Sequence, residues 1–230
     1  MQSPNIRQAS GSDMPYFYNI CLRTGLSGLD ATEAFNDPLM LGHYYAAPYL
    51  WKDPSLCFVA TDDDGIPCGY IVGTDDTETF NDWLNEYWLP PLRRQYQQEY
   101  KAKSDHEQGL CDRIRKGPGA GVWEHVGYPA HLHIDLLPTL QGKGLGKALM
   151  QTWLERISVK GVSGVHLGVD GRNTHAFGFY ERMGFTILER PEWGAVYGMK
   201  IERNPRNGAR TEKPAELEQG PAPEIGKTQA

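Results

Sequence analysis

The clearest hydrophobic pattern in the chain is an alternation over residues 131–137, read as His-Leu-His-Ile-Asp-Leu-Leu. Because successive side chains of a strand point to opposite faces, this pattern predicts a strand with one apolar and one polar face. The apolar face carries Leu132, Ile134 and Leu136. The polar face carries His131, His133 and Asp135. Pro138 offers no backbone donor to a ladder, so we expect the strand to end there.

A helical period follows directly after this strand. The apolar positions from Gly144 onward recur at helical spacing, and they are Leu145, Ala148, Leu149, Trp153 and Ile157. Lys160 and Gly161 are typical of the end of such a helix. Residues 164–170 alternate again and predict a second strand. A short helix is then expected from a cap at Asn173 or Thr174 to Gly184, followed by a strand pair at 185–190 and 195–202.

In the first half of the chain, the pattern predicts a strand at 5–10. A helix is predicted next, with Ser12 or Asp13 as its N-terminal cap and Gly25 at its end. A second helix is predicted over residues 31–47. Residues 55–74 form two β-rich runs around Asp64-Gly65, a typical hairpin signal. Within the segment at 74–130, residues 77–103 are helical in pattern around a break at Pro90-Pro91, and a Gly-Pro-Gly-Ala-Gly loop follows them.

This order of elements predicts one α/β domain over residues 1–203, with a mixed, mainly antiparallel sheet, helices on both faces and an insert at about 74–130. Residues 204–230 are rich in Pro, Glu, Gly, Lys and Gln. Such a composition buries too little apolar surface to offset the entropy of ordering, so we expect a disordered tail.

Composition narrows the class of protein. Hydrophobic residues make up 40% of the chain and charged residues 23%, and no apolar run is long enough to span a bilayer. The net charge of -6 argues against a nucleic-acid partner, which requires a concentrated basic face. Four widely spaced cysteines and a start without a secretory pattern favour a reducing compartment, so we expect a soluble cytoplasmic protein without a membrane partner.

The stretch Gln-Gly-Lys-Gly-Leu-Gly-Lys at 141–147 lies between the strand and the helix. A phosphate requires several converging backbone amides, which the first turn of a helix supplies. A Walker A loop is excluded because only three residues separate Gly142 from Gly146-Lys147 and Ala148 follows. A dinucleotide fingerprint is excluded less firmly, because Lys147 stands where its last glycine belongs.

The pattern that fits is Q-x-x-G-x-G, formed by Gln141, Gly144 and Gly146. Together with "VDGRNTHAFGFYERMGF" at 169–185, it resembles the GNAT acetyltransferase superfamily. The sequence of these stretches is also similar to the acetyltransferase-like domain that accompanies O-GlcNAc hydrolases. No segment resembles a glycosidase, so we expect a free-standing relative.

The resemblance implies a sheet splayed between the strands at 131–137 and 164–170, with acetyl-CoA in the opening. It implies coenzyme contacts from the strand end, the glycine turn and the following helix: Leu136, Leu137, Gln141, Gly142, Lys143, Gly144, Leu145, Gly146, Lys147, Asn173 and Tyr180. The amide of Leu136 is the expected oxyanion donor. Tyr180 is the expected proton donor to the leaving sulfur. No metal is expected.

The proton acceptor is left open between His133, Asp135 and Asp170, because many relatives use water relays. His131, His133 and Asp135 on one strand face also suggest a zinc site, which we disfavour because the sequence offers no further ligand. The amine acceptor is not identifiable from the sequence. The oligomeric state stays open between monomer and homodimer.

Two rival functions remain. The first is a silent module that binds acetyl-CoA, a protein or a glycan without turnover. The second is nucleotide binding through a degenerate Rossmann turn.

In the insert, aromatic and acidic side chains are expected either to line an acceptor cleft or to serve as core and solvated surface. These residues are Glu78, Asp82, Trp83, Glu86, Tyr87, Trp88 and Tyr96.

Overall fold

The structure is a computed structural model that describes residues 6–119 and 126–202. The strands in these ranges are β1 (Ile6–Gln8), β2 (Cys57–Thr61), β3 (Pro67–Thr74), β4 (Ala130–Leu136), β5 (Gly164–Asp170), β6 (Thr186–Glu189) and β7 (Gly194–Lys200). The α-helices are α1 (Met14–Thr24), α2 (Met40–Tyr45), α3 (Ala47–Lys52), α4 (Thr77–Trp83), α5 (Leu89–Gln95), α6 (Asp105–Lys116), α7 (Leu145–Val159) and α8 (Thr174–Arg182). The tail at 204–230 and the end of the Gly-Pro-Gly-Ala-Gly loop lie outside the described residues.

The strands form one sheet in the order β1-β2-β3-β4-β5-β7-β6. Neighbouring strands are antiparallel except β4 and β5, which are parallel. These two pair only at Ala130 with Val165 and at His131 with His166. Beyond that point they separate, so the mixed, mainly antiparallel, splayed sheet expected from the sequence is confirmed.

Helices cover both faces of the sheet. On β3, Tyr70 and Val72 belong to a core built with α1 to α6, while Ile71 belongs to the core under α7 and α8. The alternation of a strand thus sends neighbouring side chains into two different apolar clusters. Trp153 is fully buried in the second core, where its Nε1 donates to the Leu56 carbonyl at 3.1 Å.

The second half of the chain follows its sequence pattern closely. The predicted strand, helix, strand, helix and strand pair correspond to β4, α7, β5, α8 and the β6–β7 pair. Gly144 precedes α7 with φ +81 and Gly161 follows it with φ +75, a left-handed backbone that glycine adopts without steric cost. In the first half, β1, α1 and the β2–β3 hairpin are also where the pattern predicts them.

The single helix predicted over residues 31–47 is wrong. The chain forms a 3-10 turn at Thr32–Ala34 and then two short helices, α2 and α3. Asp37 accepts a hydrogen bond from the Leu39 amide at 2.8 Å, which favours a turn before α2. Ala46 breaks the helical path with φ -133 and ψ -58, and Pro48 lies in the first turn of α3.

The helical prediction for the insert is correct in type but not in its boundaries. The break falls at a π-helical turn, Leu84–Trp88, and Pro90-Pro91 lie in the first turn of α5, where a missing amide proton costs least. The helix ends at Gln95, and the stretch at 96–103 is irregular. No helix in the described ranges is both long and apolar enough to cross a membrane.

Helix α6 is not among the predicted elements, although Ser104 and Glu107 form a recognisable helix-start pattern. The Ser104 hydroxyl accepts the Glu107 amide at 3.1 Å. The Glu107 carboxylate is fully buried and accepts four hydrogen bonds, from the amides of residues 36, 37 and 103 and from the Tyr100 hydroxyl. A buried carboxylate requires such partners, which join α6 to the loop before α2.

Candidate active site

The separation of β4 from β5 opens a cleft of about 430 Å³ beside the glycine turn, which we call the donor cleft. Its walls come from the end of β4, the turn at 141–147 and α8. The residues predicted from the sequence that line it are Asp135, Leu136, Gln141, Gly142, Gly144, Gly146, Lys147, Asn173 and Tyr180. Five other predicted residues do not line this cleft: His133, Leu137, Lys143, Leu145 and Asp170.

The glycine turn presents a run of free backbone amides. In the described part of the chain, the amides of residues 142–147 form no hydrogen bond with a protein acceptor. Gly142 and Gly144 have φ +73 and +81, and no heavy atom lies within 4 Å of a Cβ placed on either. The turn leads into the 15-residue helix α7, whose dipole is positive at this end. Free amides at such a terminus are able to hold an anion.

The side chains of the turn differ in their positions. Lys147 lines the donor cleft and can add positive charge there, whereas Lys143 is exposed outside it. The side chain of Leu145 is buried at 5% exposure, so its amide is the only polar group that this residue offers to an anion at the turn. Gln141 donates from Nε2 to the Leu136 carbonyl at 2.9 Å. This bond ties the glycine turn to the end of β4.

The register of β4 decides which main-chain groups face the cleft. The Leu137 amide donates to the Cys68 carbonyl at 2.9 Å, and the Leu137 carbonyl accepts from Leu140 at 3.0 Å. Directions alternate along an antiparallel strand, so the amide of Leu136 points away from β3, toward the opening. Of the two leucines expected to offer main-chain groups, Leu136 is therefore the one placed to do so.

Tyr180 lies on α8 in the wall of the donor cleft and is only 8% exposed. Burial raises the pKa of Tyr180, and the charge of nearby Asp135 raises it further. Its hydroxyl has no hydrogen-bond partner among the described residues. At neutral pH Tyr180 is therefore a protonated phenol with an unused donor.

Asn173 is the residue before α8, and its side chain makes no capping hydrogen bond with that helix. It lines the donor cleft and lies 3.7 Å from the position of a Cβ on Gly28. The sequence left open whether Asn173 caps the helix or serves a ligand. Since the side-chain amide is not used for capping, it is available to a ligand in the cleft.

A second cavity of about 520 Å³ lies on the other side of Asp135, and we call it the acceptor cavity. Four residues line both spaces: Thr24, Gly28, Asp135 and Asn173. The acceptor cavity also contains groups from distant elements, including Asp105 and Arg113 of α6, His133 of β4, and Trp193. The two spaces thus meet at a carboxyl group.

Asp135 accepts a hydrogen bond from the Tyr70 hydroxyl at 2.7 Å. Tyr70 is fully buried and stacks on Phe17 at a centroid distance of 4.9 Å. Burial raises the pKa of Asp135, and the Tyr70 hydrogen bond partly opposes that rise. The pair therefore holds a carboxyl of increased basicity where the two spaces join.

His133 lines the acceptor cavity rather than the donor cleft. Its Nε2 lies 3.1 Å from the Tyr49 hydroxyl. Burial lowers the pKa of His133 to about 4, so this ring is neutral at physiological pH. Asp170, the third candidate, forms a two-point ion pair with Arg172 that lowers its pKa to about 2. Such a carboxylate is a poor proton acceptor.

His131 lies deeper than the other candidates and uses both ring nitrogens inside the protein. Nε2 bonds to Tyr49 at 2.7 Å and Nδ1 to Thr77 at 2.8 Å. Across the described residues, no group of three or more His, Cys, Asp or Glu side chains is arranged to hold a metal. The zinc alternative therefore gains no support from this strand face.

Several cleft residues were not found from the sequence. His175, Phe179 and Arg182 line the donor cleft and share one side of α8. Their helical spacing is the signal that could have found them. The aromatic and acidic residues proposed from the insert line neither the donor cleft nor the acceptor cavity; α6 contributes in their place.

Comparison with known proteins identifies the family. The sequence model described as the acetyltransferase (GNAT) family matches residues 29–185, more than half of the chain. Protein O-GlcNAcase of Rattus norvegicus is 23% identical over 193 residues, which cover 77% of this chain and 20% of the rat protein. Mycothiol acetyltransferase of Streptomyces griseus subsp. griseus is 45% identical over 56 residues, 24% of this chain and 18% of that enzyme. This chain thus spans a fifth or less of either relative.

Solved structures agree with this assignment. The crystal structure of SsHAT matches with a TM-score of 0.78 and 36% identity, covering 87% of this chain and 99% of that chain. A phosphinothricin acetyltransferase from Sinorhizobium meliloti, solved with acetyl-CoA, has a TM-score of 0.53 and 14% identity over 94% of this chain and 98% of its own, a likeness of fold alone. The resemblance to GNAT enzymes and to proteins related to O-GlcNAcase is confirmed: this chain belongs to the acetyltransferase (GNAT) family.

Proposed function

We propose that this chain transfers the acetyl group of acetyl-CoA to a primary amine by direct attack in a ternary complex. One observation carries the proposal: a cleft lined by Gly142, Gly144, Gly146 and Lys147, whose amides have no protein acceptor among the described residues, meets a second cavity at Asp135. Each substrate then has a space of its own, and the two reacting groups meet where the spaces join.

The amides of residues 142–147 would hold the diphosphate of the coenzyme, with Lys147 adding positive charge. Arg182 at the same cleft is a second cation for the phosphates. The pantetheine arm would then run along the free edge of β4, where β5 has separated, and past the unused side-chain amide of Asn173.

The Leu136 amide is the proposed donor to the thioester oxygen as that atom gains negative charge. Formation of the carbon–nitrogen bond and cleavage of the carbon–sulfur bond leave a thiolate, which would take the proton of Tyr180. Tyr180 suits this role because it is protonated at neutral pH and its hydroxyl has no protein acceptor among the described residues.

Asp135 is the proposed attractor of the amine, since an ionised carboxylate at the junction stabilises an incoming ammonium group. Cys21 also lines the acceptor cavity, but burial raises the pKa of its thiol. A thiolate nucleophile is therefore disfavoured there, which supports direct attack over an acetylated cysteine. We also propose that residues 1–203 act as one unit, with the insert forming part of the acceptor wall through α6.

The test mixes purified protein with acetyl-CoA and a panel of peptide, aminosugar, polyamine and small-molecule amines while free thiol is measured. The expected result is thiol release that requires one class of amine. Tight acetyl-CoA binding without release over the whole panel would favour the silent module. Calorimetry with NAD and ATP in place of acetyl-CoA covers the nucleotide alternative, which predicts heat with those ligands and none with acetyl-CoA.

A further inference from the structure

A chain of four hydrogen bonds runs beneath the acceptor cavity from a backbone carbonyl to His133. The Thr77 hydroxyl lies 2.6 Å from the Pro129 carbonyl oxygen and 2.8 Å from His131 Nδ1. His131 Nε2 lies 2.7 Å from the Tyr49 hydroxyl, which lies 3.1 Å from His133 Nε2. These groups come from α3, α4, β4 and the segment before β4.

The direction of every bond follows from one fixed end. A carbonyl oxygen only accepts, so the single proton of the Thr77 hydroxyl goes to Pro129. The hydroxyl oxygen must then accept from His131, which places a proton on His131 Nδ1. A neutral His131 has an unprotonated Nε2, so Tyr49 donates its proton to that nitrogen.

The remaining proton position is on His133. The Tyr49 hydroxyl already donates its proton to His131, so its oxygen can only accept a hydrogen bond from His133 Nε2. That nitrogen of His133 therefore carries the hydrogen. His133 Nδ1 is left with a free lone pair and has no hydrogen-bond partner among the described residues. Burial supports the neutral state of both rings, because it lowers the pKa of His131 well below its ordinary value and that of His133 to about 4.

Packing holds the relay in place. Tyr49 is 4% exposed, and its ring stacks on Phe80 at 4.4 Å between centroids. The rings of Tyr45 and Tyr49 contact His133 edge to face at 5.5 and 5.4 Å. The orientation of the His133 ring is therefore set by neighbours on α2 and α3, two residues along the strand from Asp135 at the junction.

We propose that Thr77, His131 and Tyr49 hold His133 in the tautomer protonated at Nε2, so that His133 Nδ1 accepts the proton released by the acceptor amine. This inference rests on the proposed function and names its proton acceptor. As the amine nitrogen bonds to the thioester carbon, its N–H bond breaks, and the proton moves to Nδ1. Nitrogen becomes far more acidic once that bond forms, so a weak base suffices.

His133 is the proposed catalytic residue of this set, and Thr77, His131 and Tyr49 are positioning residues. The imidazolium formed at His133 keeps its Nε2 hydrogen bond to the Tyr49 oxygen, which stabilises the new charge. The proton then leaves Nδ1 for water in the acceptor cavity. Asp135 keeps a separate role, that of attracting the ammonium form of the amine, which loses its first proton to water in the acceptor cavity before the neutral amine attacks.

Nitrogen-15 spectra of histidine-labelled full-length protein test the relay without any substrate, because protonated and unprotonated ring nitrogens resonate far apart. The expected wild-type spectrum has a proton on His131 Nδ1 and on His133 Nε2. Thr77→Val removes the acceptor of His131 Nδ1 and is expected to shift protons at both histidines, whereas Thr77→Ser restores the wild-type pattern. Tyr49→Phe is expected to mix the tautomers of His133.

Tyr18→Phe is the matched control, because the Tyr18 hydroxyl bonds to His43 Nδ1 at 2.8 Å outside both cavities. It is expected to change the His43 signals alone. A proton on His133 Nδ1 in the wild type overturns the relay. Unchanged His133 signals in folded Thr77→Val and Tyr49→Phe overturn it as well.

Turnover with the best amine tests the catalytic part. Neither His133→Asn nor His133→Gln can take up a proton, because a side-chain amide is not a base, although both keep a polar group at this position. The expected loss in kcat is about 10²-fold for both variants, with acetyl-CoA affinity unchanged by calorimetry. Wild-type kcat in either folded variant overturns the role of His133 as proton acceptor. Absence of turnover in coenzyme-bound wild type overturns the proposed function and the catalytic role of His133, while the spectra still decide the tautomer.

Discussion

The proposed anion site at the glycine turn leads to a prediction with an internal control. Gly144 and Gly161 flank the same helix, α7, with φ +81 and +75. Among the described residues, and apart from the chain neighbours, no heavy atom lies within 4 Å of where a methyl group added at either position would sit. Alanine at either position therefore meets no packing clash, and its cost is the left-handed backbone, about 1–2 kcal/mol. We expect both variants to lower Tm by similar amounts, about 2–4 °C per kcal/mol for a domain of this size.

Only Gly144→Ala is expected to weaken acetyl-CoA binding. Relief of the strained φ rotates the neighbouring peptide planes and turns the amides at the start of α7 away from the ligand. A hydrogen bond to a charged group contributes about 1.5–3 kcal/mol, so the loss of one raises Kd by roughly tenfold to a hundredfold. Gly161 does not line the donor cleft, so the Kd of Gly161→Ala for acetyl-CoA is expected to stay at the wild-type value.

The assay is isothermal titration calorimetry of each folded variant with acetyl-CoA, accompanied by thermal unfolding in the absence of ligand. Equal loss of affinity in both variants would mean that helix stability, and not the amides, controls binding. Wild-type affinity in Gly144→Ala with the expected drop in Tm would refute the anion site itself.

Three further predictions concern the reaction centre and the core. Tyr180→Phe is expected to lower kcat by about 10²-fold or more with little change in acetyl-CoA affinity, because it removes only the proton donor; steady-state kinetics and calorimetry measure the two effects. Asp135→Asn is expected to lower turnover but to stabilise the fold at neutral pH, because burial raises the pKa of Asp135 and the carboxylate is costly to bury when charged. A carboxyl group whose pKa is higher in the folded than in the unfolded state stabilises the fold at pH values below its unfolded-state pKa, and this contribution is lost as pH rises through the folded-state pKa. The free energy of unfolding of the wild type should show this decline, and that of Asp135→Asn should not. Denaturant titrations at a series of pH values measure the difference. Trp153→Ala is expected to destabilise the protein by about 3–5 kcal/mol in denaturant titrations, since it empties the core under α7 and removes the bond to the Leu56 carbonyl.

Each of these predictions has an outcome that contradicts it. Wild-type kcat in Tyr180→Phe would assign the sulfur proton to water or another donor. A less stable Asp135→Asn at neutral pH would show that the Tyr70 hydrogen bond outweighs the burial of charge. A loss below about 1 kcal/mol in Trp153→Ala would mean that the core around it collapses onto the cavity; Trp51→Ala, at 69% exposure, is the control for removal of an indole outside the core.

Local patterns predicted the second half of the fold well. The alternation of β4 and the helical stripe of α7 depend on neighbours within a few residues, as does the left-handed glycine that begins that helix. These signals agree with the final packing, so the glycine turn lies where the sequence placed it. The resemblance to a known family, which rests on the same residues, supplied the splay between β4 and β5.

Predictions failed where local turn signals were overlooked and where tertiary contacts set the course of the chain. The helix expected over 31–47 is broken by a turn at Asp37 and by the sharp backbone at Ala46. The buried Glu107 carboxylate then joins that loop to α6 across 70 and 71 residues of sequence. A pattern confined to a short window carries no information about such a partner.

The amino-acid sequence by itself determined the family, the glycine turn and the strand that bears the polar face, because all three are encoded by spacing along the chain. Only the tertiary structure decided how that polar face is used. Tyr70 reaches Asp135 across 65 residues, and Tyr49 reaches His131 and His133 across 82 and 84. These pairings depend on the register of β3 against β4 and on the packing of α3 over the sheet. A hydrogen bond requires atoms within about 3 Å in a suitable orientation, and sequence order does not specify that for distant segments.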